Sequence, residues 1–334
     1  MVLTSQGPIE NRPLKLFTDI PIPSPGPKEI LIKINACAVC RTDLHIIEGD
    51  LPGTAGIIPG HQIVGMVAEL GKEVSLFKIG DRVGLGWVYS ACGICEFCHF
   101  DRENLCDQSL YTGWTVGGGF SEFCLGREEF CIPLNDADAG KKSAEEMAPL
   151  LCAGILGFRA LSLACEGHNV KRVGLFGFGS SAHLAIQVAI YQGKEVSVMA
   201  RGEKSRAMAL ALGASHVSSL DNDFPHKVDA GVVFAPVGEI VPRSLENLQK
   251  GGTLSLAGIH MSDIPALNYE RHLFYEKRLQ SVTSFTRKDA QEYMKLAIKI
   301  PVNSKTKIYP LESANEALWD LKYGKIQGTA VLKI

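Results

Sequence analysis

The segment from Lys171 to Gln192 constrains the fold more than any other. Lys171-Arg172-Val173-Gly174-Leu175-Phe176 is a short apolar strand, Gly177-Phe178-Gly179-Ser180-Ser181-Ala182 is a Gly-x-Gly-x-x-Ala turn, and a helical run follows to about Gln192. A strand passing through bare glycines into a helix predicts one unit of a parallel sheet. The turn exposes backbone amides beside a helix N-terminus, an arrangement that holds a pyrophosphate. Gly177, Phe178, Gly179, Ser180 and Ser181 are therefore candidate cofactor-binding residues. The alternation continues with a strand over 195–200, a helix over 204–212 ended by Gly213, and strands over 228–234 and 253–257. A capping box, Ser143 with Glu146, and an apolar helical run from Leu151 to Ala164 lead into this part. It is read as a doubly wound parallel-sheet domain over residues 151–299.

The end of the second strand bears on which nucleotide binds. A free ribose 2′-hydroxyl is met there by an Asp or Glu. Here the chain reads Val198-Met199-Ala200-Arg201-Gly202, with no carboxylate before Glu203. A carboxylate would repel a 2′-phosphate, whereas Arg201 can pair with one bidentately, and Lys204 and Arg206 add positive charge nearby. The expectation is NADP(H) in preference to NAD(H).

Ahead of this domain the chain has a different character. Pro8, Pro13, Pro21, Pro23, Pro25 and Pro27 rule out long helices and favour short strands joined by turns. Strands are expected over 29–35 and 61–70, and another after the Gly80-Asp81-Arg82-Val83-Gly84 turn. Residues 1–150 are thus a β-rich domain. The tail breaks the alternation with a helix over 311–323 and a strand over 329–334; residues 300–334 are expected to return to the first domain, which periodicity alone does not show.

Cysteines carry the next constraint. Cys92, Cys95, Cys98 and Cys106 are spaced Cys-x2-Cys-x2-Cys-x7-Cys, and Gly93 permits a tight loop. Four thiolates so close suit a tetrahedral zinc or an iron–sulfur cluster, a closed and structural site that pins its loop. Disulfides are the rival reading, and the first residues show no basic region followed by an apolar core to favour them. Cys40 and His61 add a thiolate and an imidazole about twenty residues apart. They can share a zinc ion if the chain folds back and a third soft ligand arrives, with one position open for chemistry.

Composition closes off other classes. Net charge is −2, which points to no nucleic acid and no acidic membrane surface. No apolar run is expected to reach the roughly 18–20 residues of a transmembrane helix. The 46% apolar fraction suffices for two cores. The chain is expected to be cytoplasmic, with its thiols reduced.

Assembled, these pieces resemble the zinc-dependent alcohol dehydrogenases of the medium-chain dehydrogenase/reductase superfamily. The likeness rests on Cys40-Arg41-Thr42-Asp43-Leu44-His45, Gly60-His61, the four-cysteine loop, Cys152-Ala153-Gly154 and Gly177-Phe178-Gly179. It implies an α/β protein, a GroES-like β-rich catalytic domain plus a Rossmann doubly wound parallel-sheet domain. It implies two zinc ions per chain. A catalytic one would sit on Cys40, His61 and Cys152, two cysteines and one histidine being the ligand set already established for alcohol dehydrogenase. A structural one would sit on Cys92, Cys95, Cys98 and Cys106. Asp43 would orient His61, Thr42 would bond the substrate oxygen, His45 would pass the proton toward solvent, and Arg41 would hold the pyrophosphate. Trp87 and Trp114 would wall the substrate pocket. The reaction implied is reversible oxidation of a small-molecule alcohol to an aldehyde or ketone by hydride transfer, in a homo-oligomer, tetramer or dimer.

Three positions depart from the family pattern: Gln62 replaces the usual Glu after the ligand His, Leu156 replaces a frequent Thr, and the acid after the second strand is missing. The alternatives are an NAD-dependent alcohol or polyol dehydrogenase and, outside enzymes, a nucleotide sensor retaining the fold. A quinone or enone reductase fits poorly, since many lack both cysteine sets.

Overall fold

Apolar and β-branched residues alternate along Glu29–Ala38, and this ten-residue strand is the spine of the first unit. It pairs antiparallel with Ile63–Leu70, Phe123–Arg127 and Thr329–Lys333. Arg82–Leu85 and Cys131–Pro133 extend the sheet on one side, and Thr306–Pro310 extends it on the other through a parallel pairing with the C-terminal strand. The tail thus returns to the first sheet. The proline-rich beginning forms a single 3-10 turn, Ile9–Asn11, and the short ladder of Val2–Leu3 with Leu14–Lys15, since each Pro removes a backbone donor.

The computed structural model describes all residues except 54, 136–140, 168 and 301. The chain divides into two compact units: Met1–Cys152 with Thr286–Lys299 and Asn303–Ile334, and Ala153–Phe285 with Ile300–Val302. Thr286–Lys299, which sequence patterning assigns to the nucleotide unit, groups with the first. Its helix, Arg287–Lys299, packs against the Ala148–Leu151 turn.

The second unit carries six parallel strands: Arg172–Phe176, Glu195–Met199, His216–Ser218, Val228–Val233, Leu248–Leu256 and Arg278–Ser281. Numbered along the chain, their spatial order is 3-2-1-4-5-6, the doubly wound order with a switch point beside the first strand. Continuous apolar strands suit a sheet covered on both faces. One core cluster gathers Phe176, Val233, Leu245, Leu254 and Phe224. Helix Ala153–Cys165 packs closely on Ser180–Tyr191, and a Cβ on Gly157 would come within 3.0 Å of the Ser181 carbonyl.

One sequence expectation is corrected. Ala144–Cys165 is long and apolar enough to cross a membrane by length and composition, and 72% of that window is buried inside the protein. The run is easily missed in sequence because Glu145, Glu146 and Pro149 interrupt it. It comprises a short capped helix, a tight turn over Ala148–Leu151 and the Ala153–Cys165 helix, all rich in core residues.

Phe176 is fully buried and its ring centroid lies 5.4 Å from that of Phe224. Phe176→Ala is expected to destabilise the second unit by about 3–5 kcal/mol, measured by denaturant unfolding. A loss below about 1 kcal/mol would contradict this packing.

Candidate metal centre and nucleotide turn

The first sheet brings Cys40 and His61 together. Register pairs Cys37 with Ile63, and the Ala38 amide then donates to the Gln62 carbonyl at 2.9 Å. Cys40 and His61 therefore leave the same end of one antiparallel ladder. Cys40 caps the helix Arg41–Glu48, and Cys152 lies where the Ala148–Leu151 turn gives way to the next helix. The Cys40 and Cys152 sulfurs and the His61 ring offer ligand atoms within 4.8 Å of one another.

Asp43 organises this trio. It is fully buried, and its carboxylate accepts from the Cys40 amide at 2.8 Å, the Gly60 amide at 3.2 Å and His61 Nδ1 at 2.9 Å. An ionised carboxylate only accepts, so His61 Nδ1 donates to Asp43 and Nε2 is the ring nitrogen left to meet a metal. Nε2 is buried and, among the described residues, has no hydrogen-bond partner of good geometry. Gly60 has φ +98°, and a Cβ there would lie 2.5 Å from the Phe120 ring. Only glycine fits this turn.

Charge follows the same geometry. The Cys152 thiol hydrogen-bonds Cys40 and, with His61, holds the Cys40 pKa well below a free thiol's despite burial. The same bond from the other side, together with burial, keeps Cys152 protonated. Burial opposes a charge on His61, but Asp43 and Cys40 outweigh it and raise its pKa to about 10. The trio thus holds a thiolate, and two soft sulfurs with one imidazole fit zinc. A divalent cation would displace the protons on His61 and Cys152, so its retention weakens as pH falls.

The second cluster is equally compact. Cys98 Sγ lies 3.9 Å from Cys92 Sγ and 3.5 Å from Cys95 Sγ, and the Cys92 amide donates to Cys106 Sγ at 3.4 Å. Four thiolates about 2.3 Å from a tetrahedral zinc stand about 3.8 Å apart. All ten cysteines are free thiols. Amides of Ile94 and Cys95 hold the Cys92 pKa down at about 6.

Beside His61 stands an aromatic wall. Trp87 meets the imidazole edge-on at 5.0 Å, stacks on Trp114 at 5.8 Å and on Tyr111 at 5.1 Å. Trp114 Nε1 donates to the Pro52 carbonyl at 2.8 Å, which fixes its ring. Thr42 is buried with its hydroxyl 3.5 Å from the Cys40 sulfur, and His45 Nδ1 lies 2.7 Å from Asp50 Oδ2. Arg41 begins the helix with an exposed side chain. Sequence reasoning missed Asp50 and Tyr111. The signal for Asp50 was Gly49, whose φ of +95° ends the helix and turns the next residue back onto His45.

In the second unit, Gly177 has φ +90° and a Cβ there would sit 2.7 Å from the Ala235 amide nitrogen. The space above Gly179 is open, so a phosphate can approach the backbone where Ser180–Tyr191 begins. Phe178 is buried, and Ser180 and Ser181 occupy the first helical turn. Arg201 and Lys204 are exposed just beyond the second strand. Arg206 does not stand free beside them: its guanidinium donates to the Ala200 and Arg201 carbonyls, both at 2.7 Å.

This combination of fold and donor sets defines a metal-dependent nicotinamide-nucleotide dehydrogenase. Residues 26–136 match the alcohol dehydrogenase GroES-like domain and residues 182–299 the zinc-binding dehydrogenase domain. The chain is 46% identical to a probable alcohol dehydrogenase of Mycobacterium tuberculosis over 98% of its length and 95% of that protein's. It is 33% identical to an alcohol dehydrogenase of Geobacillus stearothermophilus, covering 92% of each. Among solved structures it resembles a Helicobacter pylori protein titled CAD, complexed with NADP(H), with a TM-score of 0.84 and 27% identity over 93% of this chain and 91% of that one. The chain belongs to the zinc-dependent alcohol dehydrogenases of the medium-chain dehydrogenase/reductase superfamily.

Asp43→Asn leaves one oxygen to accept three N–H groups. Affinity at the Cys40–His61–Cys152 site should fall about 10- to 100-fold in chelator competition, with greater loss at lower pH. An unchanged affinity would contradict the bracing role.

Proposed function

We propose that this alcohol dehydrogenase interconverts an alcohol and an aldehyde or ketone with NADP(H) in preference to NAD(H), holding two zinc ions per chain. The observation that carries this reading is the convergence of Cys40, His61 and Cys152 around the buried His61 Nε2, braced by Asp43. When bound there, zinc supplies a Lewis acid that lowers the pKa of an alcohol, and the nicotinamide ring accepts or donates the hydride.

The chain's own residues do the rest. Thr42, buried next to Cys40, orients the substrate hydroxyl and takes its proton's hydrogen bond. His45 receives the proton at its buried Nε2 side and passes it, through Nδ1, to the half-exposed Asp50 carboxylate and so to water. Trp87, Tyr111 and Trp114 exclude water and offer flat apolar faces. These rings support aromatic and unsaturated aldehydes as substrates, and so does the likeness to a Sorghum bicolor protein titled as a cinnamyl alcohol dehydrogenase. The Gly177–Ser181 turn takes the pyrophosphate, and Arg201 with Lys204 takes the 2′-phosphate.

Reduced thiols support a cytoplasmic setting. A homo-oligomer is supported by the strand Arg278–Ser281 at the end of its sheet and by the nearby exposed rings of Tyr269, Phe274 and Tyr275.

The deciding assay compares NADPH and NADH oxidation over small, branched and aromatic aldehydes, with and without chelator. Chelator-sensitive turnover, faster with NADPH and with aromatic aldehydes, is expected; turnover favouring NADH would sink the cofactor reading. Arg201→Asp should shift the NADP/NAD preference at least about tenfold toward NAD. An unaltered ratio refutes the phosphate contact. His45→Gln should slow turnover by about 10- to 100-fold at low pH, and less where solvent base is plentiful. A pH–rate profile identical to the parent's removes the relay.

A further inference from the structure

Glu103 is a buried acid that the reaction does not use. Its carboxylate is almost inaccessible, and Oε2 has no partner among the described residues. Oε1 accepts from the Arg287 amide at 2.8 Å and from Arg287 Nε at 3.0 Å. A half-satisfied buried carboxylate costs stability unless its partner holds it firmly. This one spans 184 positions of sequence to reach that partner.

The two ends of the contact have distinct surroundings. Glu103 opens the tight turn Glu103–Leu105, and its carbonyl accepts from the amide of Cys106, the fourth cysteine of the metal loop, and from the Ser109 hydroxyl. Arg287 opens the thirteen-residue helix Arg287–Lys299, so the carboxylate meets an unpaired amide at the positive end of a helix. Thr286 and Asp289 cap the same turn, and the Arg287 guanidinium lies over the Phe130 ring at 5.1 Å. The helix packs against Ala148–Leu151, whose next residue is Cys152. That turn also rests on the strands of the first sheet, so the helix completes its seat.

We infer that Glu103 is a positioning residue through which the four-cysteine loop helps seat Cys152, so that order at the structural metal site sets the grip of the catalytic one. The path runs from Cys106 to Glu103, Arg287, the Arg287–Lys299 helix, Ala148–Leu151 and Cys152, all within the first unit. It rests on the two-zinc reading above. A contiguous path is necessary for such coupling, and a measurement on both sites decides it.

The test is zinc release from the full-length, zinc-loaded protein to a chromophoric chelator. Cys152→Ser identifies the phase of the Cys40–His61–Cys152 site. In Glu103→Gln that phase should quicken about tenfold, while the four-cysteine phase changes less than about threefold. Arg287→Met, which removes the guanidinium bond, should do the same, and the double variant should be no faster than either single one, since both remove the same charge pair. Arg287→Lys, which keeps a positive charge beside Glu103, should give a smaller acceleration and serves if the stronger variants fold poorly. A change confined to the four-cysteine phase, an equal change in both phases, or no change overturns the inference. A wild-type chain releasing only one zinc overturns the two-zinc reading instead, and the inference falls with it.

Discussion

The catalytic half of this enzyme depends on one buried carboxylate. Asp43 accepts from the Cys40 amide, the Gly60 amide and His61 Nδ1, so a single anion fixes a helix start, a glycine turn and an imidazole. Burial makes those bonds strong and makes an unpaired Asp43 costly. The same anion sets the charge of the trio. It favours the protonated imidazole, which stabilises the Cys40 thiolate, to which Cys152 donates. A divalent metal bound there would replace those protons, and the ligand atoms already lie within 4.8 Å of one another.

The nucleotide unit uses a different device, space rather than charge. Gly177 turns with a positive φ against Ala235, and Gly179 leaves the backbone bare where a helix begins. Beyond the cradle, the segment after the second strand leaves Arg201 and Lys204 exposed. There Arg206 ties down two carbonyls and so shapes the turn that displays Arg201. The two units thus divide the chemistry: one builds a rigid donor set, the other an open cradle with an adjustable rim.

Much of this is legible in the sequence because the governing constraints are local. The strand–glycine–helix passage at 171–192, the cysteine spacing at 92–106 and the Ser143–Glu146 capping box each need only neighbours to be read. The resemblance to a family joined Cys152 to Cys40 and His61, which spacing does not do. What stayed hidden depends on chain reversals and long-range contacts. Asp50 reaches His45 only because Gly49 turns the chain back, and Glu103 meets Arg287 only after the whole nucleotide unit has intervened. The capped helix beginning at Arg287 follows the last strand of the parallel sheet, so periodicity places it with that sheet, whereas its packing partner is the Ala148–Leu151 turn. Ala144–Cys165 shows the opposite error, where two acids and a proline hid a mostly buried apolar run.

The most direct test of a metal centre built on Cys40, His61 and Cys152 is zinc-edge X-ray absorption on the purified, fully loaded chain and on its Cys152→Ser variant. Two zinc ions per wild-type chain are expected, with sulfur from six cysteines and one imidazole nitrogen as the protein ligands. The variant should lose the ion with the imidazole signature and keep an all-sulfur site. A wild-type chain with only an all-sulfur site, or a variant that keeps its imidazole-bound ion, would contradict that centre.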